Sequence, residues 1–471
     1  MTDFDLSQDT CVRTFGFNVP CRRFALAAKV TRDRRMPLVD EFVLRALKLT
    51  GELTIARLAG FFGFSAPEVQ TVIADLASRS LVTLQGENVR LHPSAHEMFR
   101  TSQGGPTVLE VESWVEILWF DLISGNMIAK RIRHGKNLVE LQTSGSRVSV
   151  PAEFARTAFE ENFRDYLKVF RKINNPDIYN LYAVTDVQPS QYGFIALAGR
   201  EDLVLRPEPK LLPSLLETEG DPVQRLRKLN EAMRQAYEGL THPEPSAAAR
   251  GEYAKLTQST SLQASMQSNG YVDLERWLQE ERAVRSAGVE TLVGVAYLER
   301  NRQSFRRLFE TKLSSQAEGS GPVSELVWIC SGGSSWGASD DLRAMLADVR
   351  AAARATRERH GPIRTTLVVP ATERGSRPRR FNRLFDQGLL APAGYLTPAL
   401  EVILLRGIAA IVLVWVPLSE SCAIWIGRAT TRAEDLSTLE MRLDWKQLQS
   451  QAERLWSNMG SRPAVDRPEV I

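Results

Sequence analysis

The sequence predicts a multidomain protein of mixed class, part α+β and part α/β, and three observations carry that expectation. First, 471 residues exceed what one hydrophobic core organises, at roughly 100 to 200 residues per domain. Second, 43% hydrophobic and 24% charged residues describe a globular chain, not a disordered one or a rod. Third, the apolar period is helical in the first hundred residues and strand-like in the middle. It turns helical again, and beyond Val289 it alternates between the two. These changes divide the chain into segments 1–104, 105–212, 213–288 and 289–471.

In the first segment, LVDEFVLRALKL and TIARLAGFFG read as short amphipathic helices separated by Thr50-Gly51-Glu52, and Gly63 supplies a tight turn. A third helix starts at Ser65-Ala66-Pro67-Glu68. Ser65 can accept from the amide three residues on, Glu68 can reach back, and Pro67 is tolerated in a first turn. Val69, Val72, Ile73 and Leu76 form its apolar stripe. Leu81-Val82-Thr83-Leu84 and Val89-Arg90-Leu91 then read as strands joined by Gln85-Gly86-Glu87-Asn88.

This order resembles the bacterial winged helix-turn-helix family over residues 37 to 98. The resemblance implies a third helix in the DNA major groove and a hairpin wing on the flanking backbone. It places Gln70, Thr71, Asp75, Ser78 and Arg79 on the exposed helix face and Arg90 on the wing. Phosphate neutralisation drives non-specific DNA affinity, and this face sets two arginines against Asp75 and Glu68. Denser positive charge precedes the module, where Arg22, Arg23, Lys29, Arg32, Arg34 and Arg35 share fourteen residues with Asp33 the single acid. That arm is either a clamp for a phosphate backbone or the solvated flank of a strand, CRRFALAAKV.

The second segment reads as strands around one helix, 152 to 172, whose Phe154, Phe159, Phe163, Tyr166 and Phe170 recur at helical spacing as a core-facing stripe. Asp121, before Ser124-Gly125, reads as a turn residue. In the third segment, Asp221 to Gly239 reads as a charged amphipathic helix, His242 to Ser246 as a linker and Gln258 to Asn269 as a polar loop.

Beyond Val289 the expectation is an α/β sandwich on a largely parallel sheet. Its strands are TLVGVAYL, SELVWICS, IRTTLVVP, AAIVLVWVP and CAIWIGRAT. Between them come the helices NRQSFRRLFETKL, ASDDLRAMLADVRAAARATRERH and RRFNRLFDQGLL, and a final helix runs from Ala433 to Asn458. Over residues 290 to 432 this layout resembles one half of a phospholipase D-like domain, a module found as nucleases or inactive folds in bacterial defence-associated proteins. Catalysis in that family needs a His nucleophile and a Lys two residues on, an attacker and a neutraliser of phosphoryl charge. The corresponding Gly407-Ile408-Ala409-Ala410-Ile411 has neither, and no Lys lies between Lys312 and Lys446. The resemblance therefore implies a degenerate copy.

Two loops add candidate sites. Gly332, Gly333, Ser334 and Ser335 lie between a strand and a helix, where backbone amides can cradle an anion; the alternative is a plain turn. Arg374, Arg377, Arg379, Arg380 and Arg383 supply guanidinium forks suited to phosphate or nucleic acid; the alternative is a solvated or internally paired cluster. Five scattered His and four scattered Cys without metal-ligand spacing give no metal site and no cofactor, and G-x-S-x-G, Walker and kinase signatures are absent. Unclustered cysteines and no basic-then-apolar leader suggest a cytoplasmic chain without a membrane partner.

The function expected from these features is a non-enzymatic DNA-binding or scaffold component of a bacterial nucleic-acid-directed system, such as antiphage defence, with DNA and other proteins as partners. A nuclease or other phosphate-handling enzyme built on the arginine loop, and a ligand-sensing transcriptional regulator, are the alternatives.

Overall fold

The structure, a computed structural model, describes residues 10–98, 107–128, 137–143, 151–215, 223–284, 286–315, 325–355, 363–373 and 377–458. The fold is mixed α+β with several sheets, as expected. It divides into two compact units, one of Met1–Cys21, Arg131–Thr143 and Gly193–Ile471, the other of Arg22–Lys130 and Ser144–Tyr192. The strands are β1 (Thr10–Arg35), β2 (Glu52–Thr54), β3 (Val82–Gln85), β4 (Asn88–Leu91), β5 (Thr107–Asp121), β6 (Met127–Ile128), β7 (Val139–Glu140), β8 (Tyr179–Val204) and β9 (Lys210–Leu215). They continue with β10 (Val289–Val293), β11 (Glu325–Ile329), β12 (Arg364–Val369), β13 (Gln387–Leu390), β14 (Leu400–Leu405), β15 (Ala409–Pro417), β16 (Ala423–Thr430) and β17 (Glu453–Ser457).

The smaller unit holds a module of three short helices and a small sheet. Its helices are α1 (Leu38–Thr50), α2 (Ile55–Phe62) and α3 (Ala66–Ser78), and β2, β4 and β3 form a three-stranded antiparallel sheet. Gly51 and Gly63 end α1 and α2 at φ 77 and 71, values a side chain disfavours. The Thr54 hydroxyl accepts from the Arg57 amide to cap α2. At the start of α3, the Glu68 carboxylate accepts from the Ser65 amide and hydroxyl, both at 2.8 Å. Those bonds hold its pKa below the ordinary carboxylate range. Val43, Leu44 and Leu47 of α1 pack with Leu58 of α2, Val69, Ile73 and Leu76 of α3, and Val89 of the hairpin.

The same unit carries a second core. Along β1 the alternate residues Phe24, Leu26, Ala28 and Val30 are buried, the period of a strand covered on one face. They meet Trp114 and Phe120 of β5 and the aromatic stripe, of which Phe159, Phe163 and Tyr166 are buried and Phe154 and Phe170 partly so. The helix carrying the stripe runs Pro151–Glu161, continues at Phe163–Asp165 and closes in a π-turn, Tyr166–Phe170. Asp121 is a turn residue: its carboxylate accepts from the amides of Ile123 and Ser124 and from the Ser124 hydroxyl.

In the larger unit, an eight-stranded sheet runs in the order β10-β16-β15-β14-β11-β12-β13-β17. Here the expectation of a largely parallel sheet fails. Only β11-β12 and β12-β13 pair in parallel; every other neighbour is antiparallel. β15 is buried from Ala409 to Val416, which requires cover on both faces. Helices Ala247–Thr257 and Glu299–Ser315 pack on it; helix Ala433–Leu443 packs against the first of them and helix Asp340–Ala355 against the second.

Five local expectations are corrected. RRFNRLFDQGLL is not a helix but a 3-10 turn, Arg377–Phe381, followed by β13, whose four residues are all buried. The final helix breaks at Asp444 (φ 34), whose side chain caps a new helix, Trp445–Gln451, before β17. TLVGVAYL leaves the strand after Val293, where Gly294, still bonded to the Trp425 carbonyl, takes φ 87. Gln258 to Asn269 is not an open loop: Ser259, Ser261 and Ser265 are buried, Ser261–Ala264 is a helical turn, and Met266 bridges Val272. His242, read as part of a linker, is half-buried and stacks on Trp415.

Two packing constraints are testable. A Cβ on Gly427 of β16 would lie 2.0 Å from the Val412 carbonyl oxygen and 2.9 Å from Leu413 Cα, both backbone atoms that cannot rotate away. Gly427→Ala is expected to destabilise the larger unit by about 3 kcal/mol or more, read from the urea midpoint. Glu401, wholly buried on β14, accepts at Oε1 from Trp328 Nε1 (2.7 Å) and Trp336 Nε1 (2.9 Å), while Oε2 has no partner among the described residues. Burial pushes its pKa up to about 7 against the pull of the two indole donors. A folded pKa above the unfolded value of 4.5 stabilises fully below 4.5, and the contribution is lost as pH rises through 7. Glu401→Gln, which keeps the acceptor without the charge, is expected to remove that loss. The wild type should fall relative to the variant by on the order of 3 kcal/mol across the window, measured by unfolding at a series of pH values.

Candidate functional site

On the three-helix module the outer face of α3 is exposed at Gln70, Thr71, Ala74, Asp75 and Ser78, while Val69, Ile73 and Leu76 turn inward. The Thr71 hydroxyl donates to the Pro67 carbonyl at 2.9 Å, and the Ser78 hydroxyl donates to the Asp75 carbonyl at 2.7 Å. Gln70 carries an exposed amide with both donor and acceptor capacity. The two arginines assigned to this surface are already engaged. Arg79 pairs with Asp40 of α1 and, at 2.6 Å, with Asp75; Arg90 pairs with Glu52 across the β2-β4 ladder. Residues 38 to 98 hold five Lys and Arg against seven Asp and Glu, so the module's own field does not draw phosphate. Arg57, at the start of α2, is exposed and makes no ion pair among the described residues.

The arm that precedes the module is strand. Arg22 is half-buried, Arg23 donates to Gln191 Oε1 at 3.1 Å, and Arg32 faces Glu112 at 3.9 Å with its cation 5.4 Å from the centre of the Tyr179 ring. Lys29 projects outward without an ion pair among the described residues. The side chains of Arg34 and Arg35 lie outside the described residues, as do Arg374 and the side chain of Arg377.

In the larger unit the structure brings the two C-terminal candidates together. Arg380 donates to the carbonyls of Trp336 (3.0 Å) and Ser334 (3.4 Å), so it fastens the glycine loop instead of facing a ligand. The loop amides are committed in the same way. Gly332 N donates to the Pro398 carbonyl, Gly333 N to Glu373 Oε1, Ser334 N to Thr241 Oγ1 and Ser335 N to the Thr241 carbonyl. With those four donors internally paired, the anion cradle expected there is closed; a carboxylate of the chain itself, Glu373, takes the anion's place. Arg379 and Arg383 are exposed and without ion pairs among the described residues, which leaves them as the solvated part of the arginine loop.

Behind the glycine loop lies a polar cluster that no spacing in the sequence announces. Arg13 donates to Glu201 Oε1 (2.8 Å), the Tyr237 hydroxyl (3.0 Å) and His242 Nδ1 (3.0 Å). Ser335 Oγ also lies 3.0 Å from His242 Nδ1, and the imidazole stacks on Trp415 with the rings 5° from parallel. A serine hydroxyl at this distance from an imidazole is the geometry of a nucleophile and its base. The electrostatics oppose that role: burial and then the Arg13 charge lower the His242 pKa to about 3, so the ring is a weak proton acceptor. The Nδ1 lone pair also faces the Arg13 donor. Lone Arg13, His242 and Glu201, some 40 to 230 residues apart in sequence, meet only through the fold.

Among the described residues no group of His, Cys, Asp and Glu is placed to hold a metal ion, and all four cysteines are free thiols. No described helix is long and apolar enough to cross a membrane.

No family model matches the chain, and no curated protein matches it. It is similar to a solved structure of TrmBL2, an archaeal chromatin protein described as showing a novel mode of DNA binding. That alignment covers 89% of this chain and 94% of the other at 8% identity and a TM-score of 0.21, an overlap that carries no argument for fold or function.

Proposed function

We propose that the chain is a non-catalytic DNA-binding protein that reads duplex DNA with α3 of its winged module. The observation that supports this is the outer face of α3, where Gln70 presents an amide able to pair with a base edge and none of the described residues covers the surface. Arg57 and Lys29, exposed and without an ion pair among the described residues, would contact phosphate, while Arg79 and Arg90 stiffen the module through their ion pairs. A module with more acid than base discriminates by base contacts more than by charge, so non-specific affinity is low. The finer reading is a winged helix-turn-helix protein with a degenerate phospholipase D-like domain serving a bacterial nucleic-acid-directed system such as antiphage defence. In its favour, Ala409, Ala410 and Ile411 stand buried in β15 where that family requires a His and a Lys.

The test is selection of a random duplex pool on the full chain, followed by fluorescence anisotropy of the enriched sequence over a salt series. Gln70→Ala is expected to weaken the selected duplex roughly tenfold or more and to relax preference at one base pair. Arg57→Ala and Lys29→Ala are each expected to weaken all duplexes alike and to reduce the salt slope by about 1. No enriched duplex at low salt, or binding lost only on replacing Arg379 and Arg383, overturns the proposal. The first outcome would leave a protein-docking module, which the exposed Phe42 and Phe61 would favour.

A further inference from the structure

The larger unit contains a cavity of about 350 Å³ between the end of helix Ala247–Thr257, the helix Leu274–Ala283, β10 and the end of β16. Most of its wall is polar. Thr257, Ser259, Thr260, Ser261, Ser286 and Thr291 supply six hydroxyls; Arg282, Arg428 and Arg432 supply positive charge, and Glu281, Glu290 and Asp435 negative charge. The volume lies at the small end of ligand sites, enough for a molecule of amino-acid or sugar size and too little for a dinucleotide.

Two of these charged groups, Arg428 and Asp435, are fixed by side-chain hydrogen bonds and keep an unused valence. Arg428 is bound at Nε and Nη2 by both oxygens of Glu281, whose side chain is 2% exposed, and Nη2 also reaches Ser261 Oγ at 3.4 Å. Its Nη1 has no acceptor among the described residues yet is not sealed from solvent. Asp435 stands in the first turn of helix Ala433–Leu443, and its Oδ2 accepts from Thr430 Oγ1 at 2.6 Å. Its Oδ1 likewise has no side-chain donor among the described residues and is not sealed off. A buried ion pair is costly unless its hydrogen-bonding capacity is filled, and here a guanidinium donor and a carboxylate acceptor are both held open toward one cavity. Neither group can collapse onto the other, because Glu281 and Thr430 hold them in place.

We infer that this cavity binds a small zwitterion, with a carboxylate on Arg428 Nη1, an ammonium on Asp435 and the remaining polar groups on the hydroxyl ring. An α-amino acid has that chemistry and that size. The inference does not depend on DNA binding, since every residue named lies in the larger unit.

The experiment is thermal unfolding and titration calorimetry of the full chain with each of the twenty amino acids at 10 mM on the order of a weak-site saturation. Matched 2-hydroxy acids, amino alcohols and neutral sugars run beside them. The expected result is a rise in Tm of several degrees for one or a few amino acids, with at least a tenfold loss of affinity when either the carboxylate or the amine of that compound is missing. Thr291→Phe, which fills the cavity from β10, is expected to abolish the shift. Should that variant fold poorly, Thr260→Asp on the exposed rim sets a negative charge against the ligand carboxylate and is expected to weaken binding at least tenfold. An absence of binding across the whole panel overturns the inference, as does a ligand that binds wild type and Thr260→Asp equally. Binding by sugars that ignores charge overturns the zwitterion assignment.

Discussion

The strand β15 has no side of its own that can face water. From Ala409 to Val416 every side chain is buried, so helices must cover both surfaces of the sheet and neighbouring strands must satisfy both edges of the backbone. That requirement sets the rest of the larger unit. It explains why β14 and β16 pair with it antiparallel and without register shifts, why Gly427 is glycine where the Val412 carbonyl approaches, and why helix Ala247–Thr257 is drawn into the same core. Segments that look like connectors in one dimension become the second wall of the sandwich.

Most polar groups in a core of this kind are bonded to one another. Glu401 lies beneath two indole donors; Arg13 gathers Glu201, Tyr237 and His242; Arg428 closes on Glu281. The glycine loop follows the same rule, because its amides and Arg380 are consumed in closing it. An anion site needs donors that remain available, and here the chain has used them. The polar cavity beside Arg428 differs in that its fixed charges retain open valences.

The smaller unit follows another logic. Its module needs few buried polar groups, and its arginines serve as struts between α1, α3 and the hairpin. This leaves α3 with a hydrogen-bonding outer face on which Asp75 is paired with Arg79. Unpaired positive charge on such a surface would raise affinity for any polyanion.

Local signals in the sequence determined the three helices and hairpin of the module, the capping box at Ser65 and Glu68, the aromatic stripe from Phe154 to Phe170 and the turn at Asp121. Each rests on contacts within about ten residues, where period, caps and turn chemistry act directly on the backbone. The missing His and Lys near Ala409 were legible for the same reason. Strand direction in the large sheet, the break at Asp444 and the conversion of the Gln387–Leu390 stretch into β13 were not, because a short apolar run satisfies either helix or strand until its neighbours are in place. The fate of the arginines was decided only in three dimensions. Arg79, Arg90 and Arg380 look alike in sequence to Arg57 and Arg383, and what separates them is a carboxylate or carbonyl that the fold brings within hydrogen-bonding distance. The Arg13 cluster and the Arg428 cavity belong to the same class: single polar residues far apart along the chain, converged by the packing of apolar surfaces around them.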